Sequence, residues 1–157
     1  MSEVVGLILI AFLIILVALI ITMALTGTLT KFLQQPALVT LAATQVSAGT
    51  DHIIRLDHKQ GNKVNLNGTS QKGGSGDIAI YLTDPLSGRT YNLQPLGTID
   101  ADAFGPGQSL YIYQGAAGFG YDDTLPGSGA LNHGENKLLI IDAKNNLLLQ
   151  NLTVIIT

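Results

Sequence analysis

An uninterrupted apolar segment near the N-terminus limits what this chain can fold into more than any other feature. From Val4 to Leu25 only Gly6 and Thr22 fall outside the apolar residue types, and Glu3 is the one charge in the first thirty residues. As an α-helix this segment extends roughly 33 Å, enough to cross a bilayer core of about 30 Å. The segment therefore excludes an ordinary cytoplasmic globular domain.

Composition and charge exclude several further classes of function. The formal net charge is −3 and the sequence pI is near 5.4, so the chain has no basic field for neutralising phosphates, and we expect no nucleic-acid partner. The sequence contains no cysteine, which excludes disulfides, a thiol nucleophile and c-type haem attachment. The 18 glycines and 5 prolines favour strands and turns over a second helical bundle.

Three interpretations compete for the apolar segment. A cleaved secretory signal is disfavoured, because no basic residue precedes the segment and it exceeds the usual length of about 7–15 residues. A plain membrane anchor fits the length, although Lys31 alone is too little positive charge to orient the chain. A polymerising helix also fits, since a helix that is apolar on every side needs lipid or other helices around it.

The helical pattern is predicted to extend past the apolar segment. Residues 26–33 continue as an amphipathic stretch, and Pro36 is expected to end it, because helices usually end at or before the residue that precedes a proline. The sequence thus predicts an N-terminal hydrophobic helix over residues 1–35, roughly 50 Å long, and a separate head domain over residues 36–157.

Three segments resemble one family, the archaeal type IV pilins. Residues 2–10 read Ser-Glu-Val-Val-Gly-Leu-Ile-Leu-Ile, which resembles the start of the mature pilin chain. Residues 54–66 look like a strand and turn of the family, with Gln60 and Asn62 in place of the usual Gly and Asp. Residues 138–156 are similar to the closing β-hairpin of the family.

The resemblance implies a non-enzymatic structural subunit of an extracellular adhesive filament. Such subunits form a homo-polymer through their N-terminal helices and are inserted in the membrane before assembly. A prepilin peptidase removes a short leader, and an assembly ATPase with a membrane platform builds the filament. Under this interpretation Met1 is the first residue of the processed chain. An archaellum subunit is the related alternative, although the Gly-Ile-Gly-Thr-Leu opening usual in archaellins is missing.

Candidate assembly residues lie along the predicted helix. Those expected in the filament core are Glu3, Val4, Val5, Gly6, Leu7, Ile10, Phe12, Leu13, Leu16, Val17 and Ile20. Two roles stay open for Glu3. It either pairs with the free N-terminal amine of a neighbouring subunit, or it stabilises the N-terminus of its own helix by about 0.3–1 kcal/mol.

The head is predicted to be β-rich, which makes the whole chain α+β. Seven or eight short strands between glycine-rich loops indicate an antiparallel β-sandwich or a small barrel. One hairpin is predicted to join residues 77–83 to 89–93 through the turn at 84–88, where proline presets φ and glycine permits positive φ. A last hairpin is predicted from residues 137–142 and 147–156.

No catalytic, cofactor or metal site is predicted. His52, His58 and His133 lack a ligand spacing such as His-Glu-x-x-His, and His58 is expected to make local hydrogen bonds. Asn67 and Asn151 each begin an N-glycosylation sequon, and Asn67 is the more plausible acceptor because it lies beside a loop. The sequence therefore allows surface glycans on the head.

A second function class also fits the sequence. A single-pass membrane anchor could hold an extracellular β-domain that binds a ligand, with no polymer involved. The apolar segment and the β-rich head are common to both classes, so the sequence alone leaves the choice between filament subunit and anchored binding module open.

Overall fold

The chain divides into two units, a helical one and a β-rich one that we call the head. These units are Met1–Gln35 and Pro36–Thr157. The computed structural model describes residues 2–25, 38–66, 77–97, 99 and 104–157.

The first unit contains the helix α1 (Ser2–Leu25), whose 24 residues confirm the predicted helix over this range. No proline interrupts it, and Gly6 is its one glycine. The hydroxyl of Thr22 donates a hydrogen bond to the carbonyl of Ala18 at 2.8 Å, so this polar group is satisfied by the helix itself. The predicted extension over residues 26–35 lies outside the described residues.

The described residues of the head form nine strands in two sheets. The strands are β1 (Val39–Ala48), β2 (Asp51–Gly61), β3 (Ile78–Thr83), β4 (Thr90–Asn92), β5 (Gln94–Pro95), β6 (Ser109–Gly115), β7 (Gly118–Asp122), β8 (Gly134–Asp142) and β9 (Leu147–Ile156). The first sheet has the order β1-β2-β6-β7-β5 and the second has the order β4-β3-β8-β9. The paired strands are antiparallel, except that β5 and β7 are parallel. The fold class is therefore α+β, as predicted.

A single hydrophobic cluster takes side chains from both sheets. Strand residues point alternately to the two sides of a sheet, and most of the buried positions on one side of each sheet are apolar. Central members of the cluster are Ile54, Leu56, Leu110 and Ile112 from the first sheet and Ile80, Leu82, Leu138 and Ile140 from the second. Full burial of one such side chain contributes about 1.5–3 kcal/mol, so this cluster is the main stabilising feature of a head without disulfides.

The hairpin of β3 and β4 has the turn that the sequence predicted. The carboxylate of Asp84 accepts hydrogen bonds from the backbone N–H and the hydroxyl of Ser87, at 2.9 and 2.7 Å. Gly88 adopts φ 66°, and its N–H donates to the carbonyl of Asp84 at 2.9 Å. The positive φ explains why glycine stands at this position.

The hairpin of β8 and β9 was also predicted and is confirmed. Asp142 accepts a hydrogen bond from the backbone N–H of Lys144 at 2.9 Å, and Asn146 turns the chain with φ 51°. The strand register shifts after Ile140, which leaves Leu149 without a ladder partner. This β-bulge was not predicted, and it changes which leucines of β9 face the core.

The two sheets meet where β1 lies beside β9. The side chain of Gln150 on β9 accepts from the N–H of Leu41 at 2.7 Å and donates to the carbonyl of Leu41 at 3.4 Å. Further along, the side chain of Gln45 on β1 accepts from the N–H of Thr157 at 3.4 Å. Both strands therefore run in the same direction and begin at the same end of the head, where Leu38 enters β1. We call this the N-terminal end of the head.

A glycine at this end permits a close backbone approach and gives a test of the β1–β2 pairing. Gly61 has φ 115°, and a Cβ there would overlap the carbonyl of Leu38. We expect Gly61→Ala to lower the free energy of unfolding of the head by about 2 kcal/mol or more. Gly88→Ala is the matched control, because Gly88 has positive φ but an added Cβ meets nothing within 4 Å, so it should cost only about 1 kcal/mol.

Thermal and urea unfolding of the full chain in detergent, followed by the β-sheet signal in circular dichroism, measures both variants. Equal stability of Gly61→Ala and Gly88→Ala would contradict the close approach.

Candidate functional site

The outer surface of α1 is the first candidate site. All of its large apolar side chains are exposed, from 40% for Met23 to 83% for Leu25. Of the predicted assembly residues, the ones placed on this surface are Glu3, Val4, Val5, Gly6, Leu7, Ile10, Phe12, Leu13, Leu16, Val17 and Ile20. They lie around the whole helix axis rather than on one face. By length and composition α1 is able to cross a membrane. A membrane anchor and a signal sequence both have these properties.

The N-terminal half of α1 carries an open apolar groove and one exposed glycine. Val5, Ile8, Leu9 and Phe12 line an open apolar groove along one side. On a different side of the helix from this groove, an added Cβ at Gly6 would meet nothing within 4 Å, so the helix backbone is accessible there. Small residues at such positions let two helix backbones approach each other closely.

Glu3 lies in the first turn of α1, and the last turn carries no basic residue. A carboxylate at this position interacts favourably with the positive end of the helix dipole. The side chain is exposed and so accessible to a group on another chain. Both roles considered for Glu3 are compatible with this placement.

In the head, the best-formed polar cluster surrounds the buried Asp57. Its carboxylate accepts hydrogen bonds from the hydroxyl of Ser109 at 2.6 Å, from Arg55 Nη2 at 3.0 Å and from Lys59 Nζ at 3.2 Å. Burial by itself raises the pKa of Asp57, but these hydrogen bonds outweigh burial and hold the pKa below its ordinary value. A carboxylate with so many donors is fixed in place and ties β2 to β6.

Two further carboxylates hold turns of the head. Burial raises the pKa of Asp84, and the hydrogen bonds from Asn132 and Ser87 outweigh it and lower the pKa. Asp77 forms an ion pair with Lys144, and this pair with the backbone N–H of Asn65 lowers the pKa of Asp77 against the opposing effect of burial. Each donor set orders the local chain, so both carboxylates are placed as structural groups.

The histidines do not form a metal site in the described part of the chain. His52 and His133 stand edge to face with ring centroids 6.5 Å apart. His58 Nε2 donates to the carbonyl of Asn62 at 3.0 Å, which is the kind of local hydrogen bond that was expected. Among the described residues no group of three or more His, Cys, Asp or Glu side chains could hold a metal ion.

The two sequons begin at Asn67 and Asn151. Asn67 lies outside the described residues. Asn151 is exposed on β9, directly opposite Leu139 on β8, and Thr153 of the same sequon is exposed as well. The Asn151 side chain is therefore accessible, and its modification stays a prediction.

A second candidate surface lies on the side of the second sheet that faces away from the core. Cross-strand pairing places five apolar or aromatic residues together there, which we call the outer apolar patch: Ala79, Tyr81, Leu139, Ile141 and Leu148. Leu148 is 55% exposed, and Tyr81, Leu139 and Ile141 are partly exposed, whereas Ala79 is already buried within the chain. Sequence reasoning did not predict this patch.

A signal for the patch is nevertheless present in the sequence. Leu138 to Ile141 are four consecutive apolar residues, and alternation along a strand places two of them on each side of the sheet. A strand with one solvated side normally alternates apolar and polar residues, so an unbroken apolar run indicates that both sides are covered.

No protein-family model, no curated protein and no solved structure matches this chain. The resemblance to archaeal type IV pilins therefore rests on the sequence motifs in residues 2–10, 54–66 and 138–156. The surfaces that bear on function are the exposed helix α1 and the outer apolar patch of the head.

The lowered pKa values predict how the head responds to acid. Because the folded-state pKa values of Asp57, Asp77 and Asp84 lie below the ordinary value near 3.9, their stabilisation is present above that pH and is lost as the pH falls below about 4. Ser109→Ala removes one donor to Asp57 and should lower the free energy of unfolding by about 1.5–3 kcal/mol near pH 7.

Circular dichroism melts at about pH 7 and about pH 3 test this dependence. The difference between Ser109→Ala and the unmodified chain should shrink at the acidic pH, because the stability that comes from the lowered pKa of Asp57 is lost as the pH falls below about 4. Ser47→Ala, at an exposed position on β1, is the control and should change neither melt. A destabilisation by Ser109→Ala that persists unchanged in acid would contradict the role given to the Asp57 carboxylate.

Proposed function

We propose that this chain is the structural subunit of an extracellular archaeal type IV pilus that polymerises through α1 and serves in surface adhesion. The observation that carries the proposal is that α1 is apolar and exposed all around its axis. In this proposal the two sheets of the head pack as a β-sandwich. The helices bundle as the filament core, and the heads face outward.

The energetics of α1 support a polymer. Each exposed Leu, Ile or Phe of the helix gains about 1.5–3 kcal/mol when it is removed from water, and α1 presents such side chains on every side. A single partner helix covers one side only. Several neighbouring helices are needed to surround the helix once it leaves the membrane, and a helical filament of identical chains supplies them.

Biogenesis in this proposal follows the route implied by the pilin resemblance. The chain is inserted in the membrane through α1, and a prepilin peptidase, an assembly ATPase and a membrane platform act on it. Exchanging lipid for helices gains little hydrophobic energy, because both surroundings are apolar. The ATPase therefore has to drive extraction, and dense helix packing then keeps the subunit in the filament.

An anchored extracellular binding module is the second candidate function. It is favoured by the length of α1, which is sufficient for a permanent membrane span. In this alternative lipid alone surrounds the helix, and the head binds a ligand as a monomer. An archaellum subunit is a variant of the polymer proposal with the same use of α1.

Truncation of helix side chains distinguishes a filament core from a lipid-embedded anchor. Between packed helices, Leu13→Ala combined with Leu16→Ala leaves cavities, and each fully buried leucine that is truncated lowers the stability of the packing by about 2–5 kcal/mol. In a membrane, fluid lipid fills the same space, so the variant should cost little there. We expect the double variant to lower the temperature at which detergent-free filaments dissociate and to leave membrane insertion unchanged. Leu13→Met with Leu16→Met conserves volume and is the matched control.

Electron microscopy and light scattering of the secreted, detergent-free fraction give the filament readout, and alkaline extraction of membranes gives the insertion readout. Wild-type chain that stays in the membrane and never yields filaments would overturn the proposal in favour of the anchored module.

Glu3 has a separate test within the proposal. If its carboxylate pairs with the N-terminal amine of a neighbouring subunit, Glu3→Gln removes that attraction and should strongly reduce filament number, while Glu3→Asp retains the charge and should assemble in part. If Glu3 acts on its own helix, both variants assemble normally, because the loss is only about 0.3–1 kcal/mol. Counting filaments per cell by electron microscopy separates the two roles.

A further inference from the structure

The outer face of the second sheet has two chemically different halves. At the N-terminal end of the head, Ala79 lies opposite Ile141, which in turn lies opposite Leu148, and the next row pairs Tyr81 with Leu139. Towards the other end the residues on this face are polar and charged. Lys137 on β8 lies between Thr83 on β3 and Thr153 on β9. Glu135 takes the next outward position of β8 and pairs with Lys137. The apolar half is the outer apolar patch.

The patch contains no charged side chain, which restricts what can cover it. A charge that a partner brought over the middle of the patch would face apolar side chains, away from Lys137 in the neighbouring row, at a cost of several kcal/mol per ion. The occupant must therefore be apolar and uncharged over its contact area. Among the described residues, the chain itself offers such a surface from Val4 to Leu25 of α1.

The dimensions of the patch also fit a helix. It crosses three neighbouring strands, β3, β8 and β9, and strands in a sheet lie about 4.8 Å apart, so the patch is about 10 Å wide. An α-helix with its side chains is about 10–12 Å in diameter. One helix laid against the patch would cover it from edge to edge.

The position of the patch supports a helix in an assembly of identical chains. The patch lies at the end of the head where β1 begins, and residues 26–37 join that end to α1. Twelve residues reach at most about 43 Å, so in a polymer each head stays within that distance of the helical core. Helices at the outside of a bundle have one side without a helical neighbour, and that side is as apolar as the rest.

We propose that the outer apolar patch of one copy packs on α1 of a neighbouring copy and so covers the outward side of the helical core. This inference rests on the proposed function and identifies the head surface that the polymer uses. The polar half of the same face then lies beyond the helix, in water.

A consequence concerns the sequon on β9. Asn151 is opposite Leu139 on this same face, next to the patch. A glycan on Asn151 would stand between the patch and a docked helix. Asn151 is therefore unmodified in assembled filaments, whatever the state of Asn67.

Disulfide mapping tests the contact. Because the chain contains no cysteine, every disulfide must come from the introduced residues. Leu148→Cys is combined in turn with Leu9→Cys, Leu13→Cys, Leu16→Cys or Ile20→Cys, and detergent-free filaments are oxidised. We expect dimers or longer products in which peptide mapping joins position 148 of one chain to α1 of another for at least one combination. Thr153→Cys, in the polar half of the face, is the matched control and should give no link to α1.

The other outcomes overturn the inference and separate it from the proposed function. Three results contradict the inference and leave the pilus proposal standing. Filaments form in each of them, but position 148 links only to another head, only to α1 of the same chain, or to nothing. A glycan found on Asn151 of assembled chains by intact mass contradicts it as well. Complete absence of filaments from the wild-type chain overturns the pilus proposal and the inference together.

Charge insertion gives an independent readout. Leu148→Lys should abolish filaments, whereas Thr153→Lys should assemble normally. Because Leu148 is an exposed residue next to a turn, Leu148→Lys should melt like the unmodified chain in circular dichroism. Normal filaments from Leu148→Lys would overturn the inference.

Discussion

The surface of α1 has no polar side, and this constraint determines what the rest of the molecule has to provide. An amphipathic helix can lie on a globular domain with its polar side in water, but α1 exposes large apolar residues in every direction. Such a helix is stable only where lipid or protein surrounds it. In the proposed assembly other helices surround most of α1, and the outer apolar patch of a head covers the side that they leave exposed.

Local chemistry determined which parts of the fold the sequence could predict. The helix was predictable because so long an apolar run has few alternatives, and the β3–β4 hairpin because Asp84, Pro85 and Gly88 encode the turn within a few residues. Sheet order was not predictable in this way. The pairing of β2 with β6 joins segments far apart in sequence, and the hydrogen bond from Ser109 to Asp57 spans 52 residues. Such contacts depend on the packing of the whole head.

The candidate site shows the same division. Every predicted assembly residue lies on α1, since composition alone placed them there, whereas the outer apolar patch depends on strand pairing and on the bulge that leaves Leu149 unpaired. The run from Leu138 to Ile141 indicated a strand covered on both sides. It could not show which neighbours on β3 and β9 would complete a surface, because a register shift of one residue exchanges the two sides of a strand.

The side-chain bridges between β1 and β9 have a consequence for crowding. Both strands lie at the edge of a sheet, and a free edge offers unpaired N–H and C=O groups to any strand of another molecule. Gln150 occupies both backbone groups of Leu41, and Gln45 holds the C-terminal residue Thr157 against the same edge. Two amide side chains thus cap the seam between the sheets. In the proposed filament many heads would be held side by side at high local concentration, and there this capping would oppose pairing between the sheet edges of neighbouring heads.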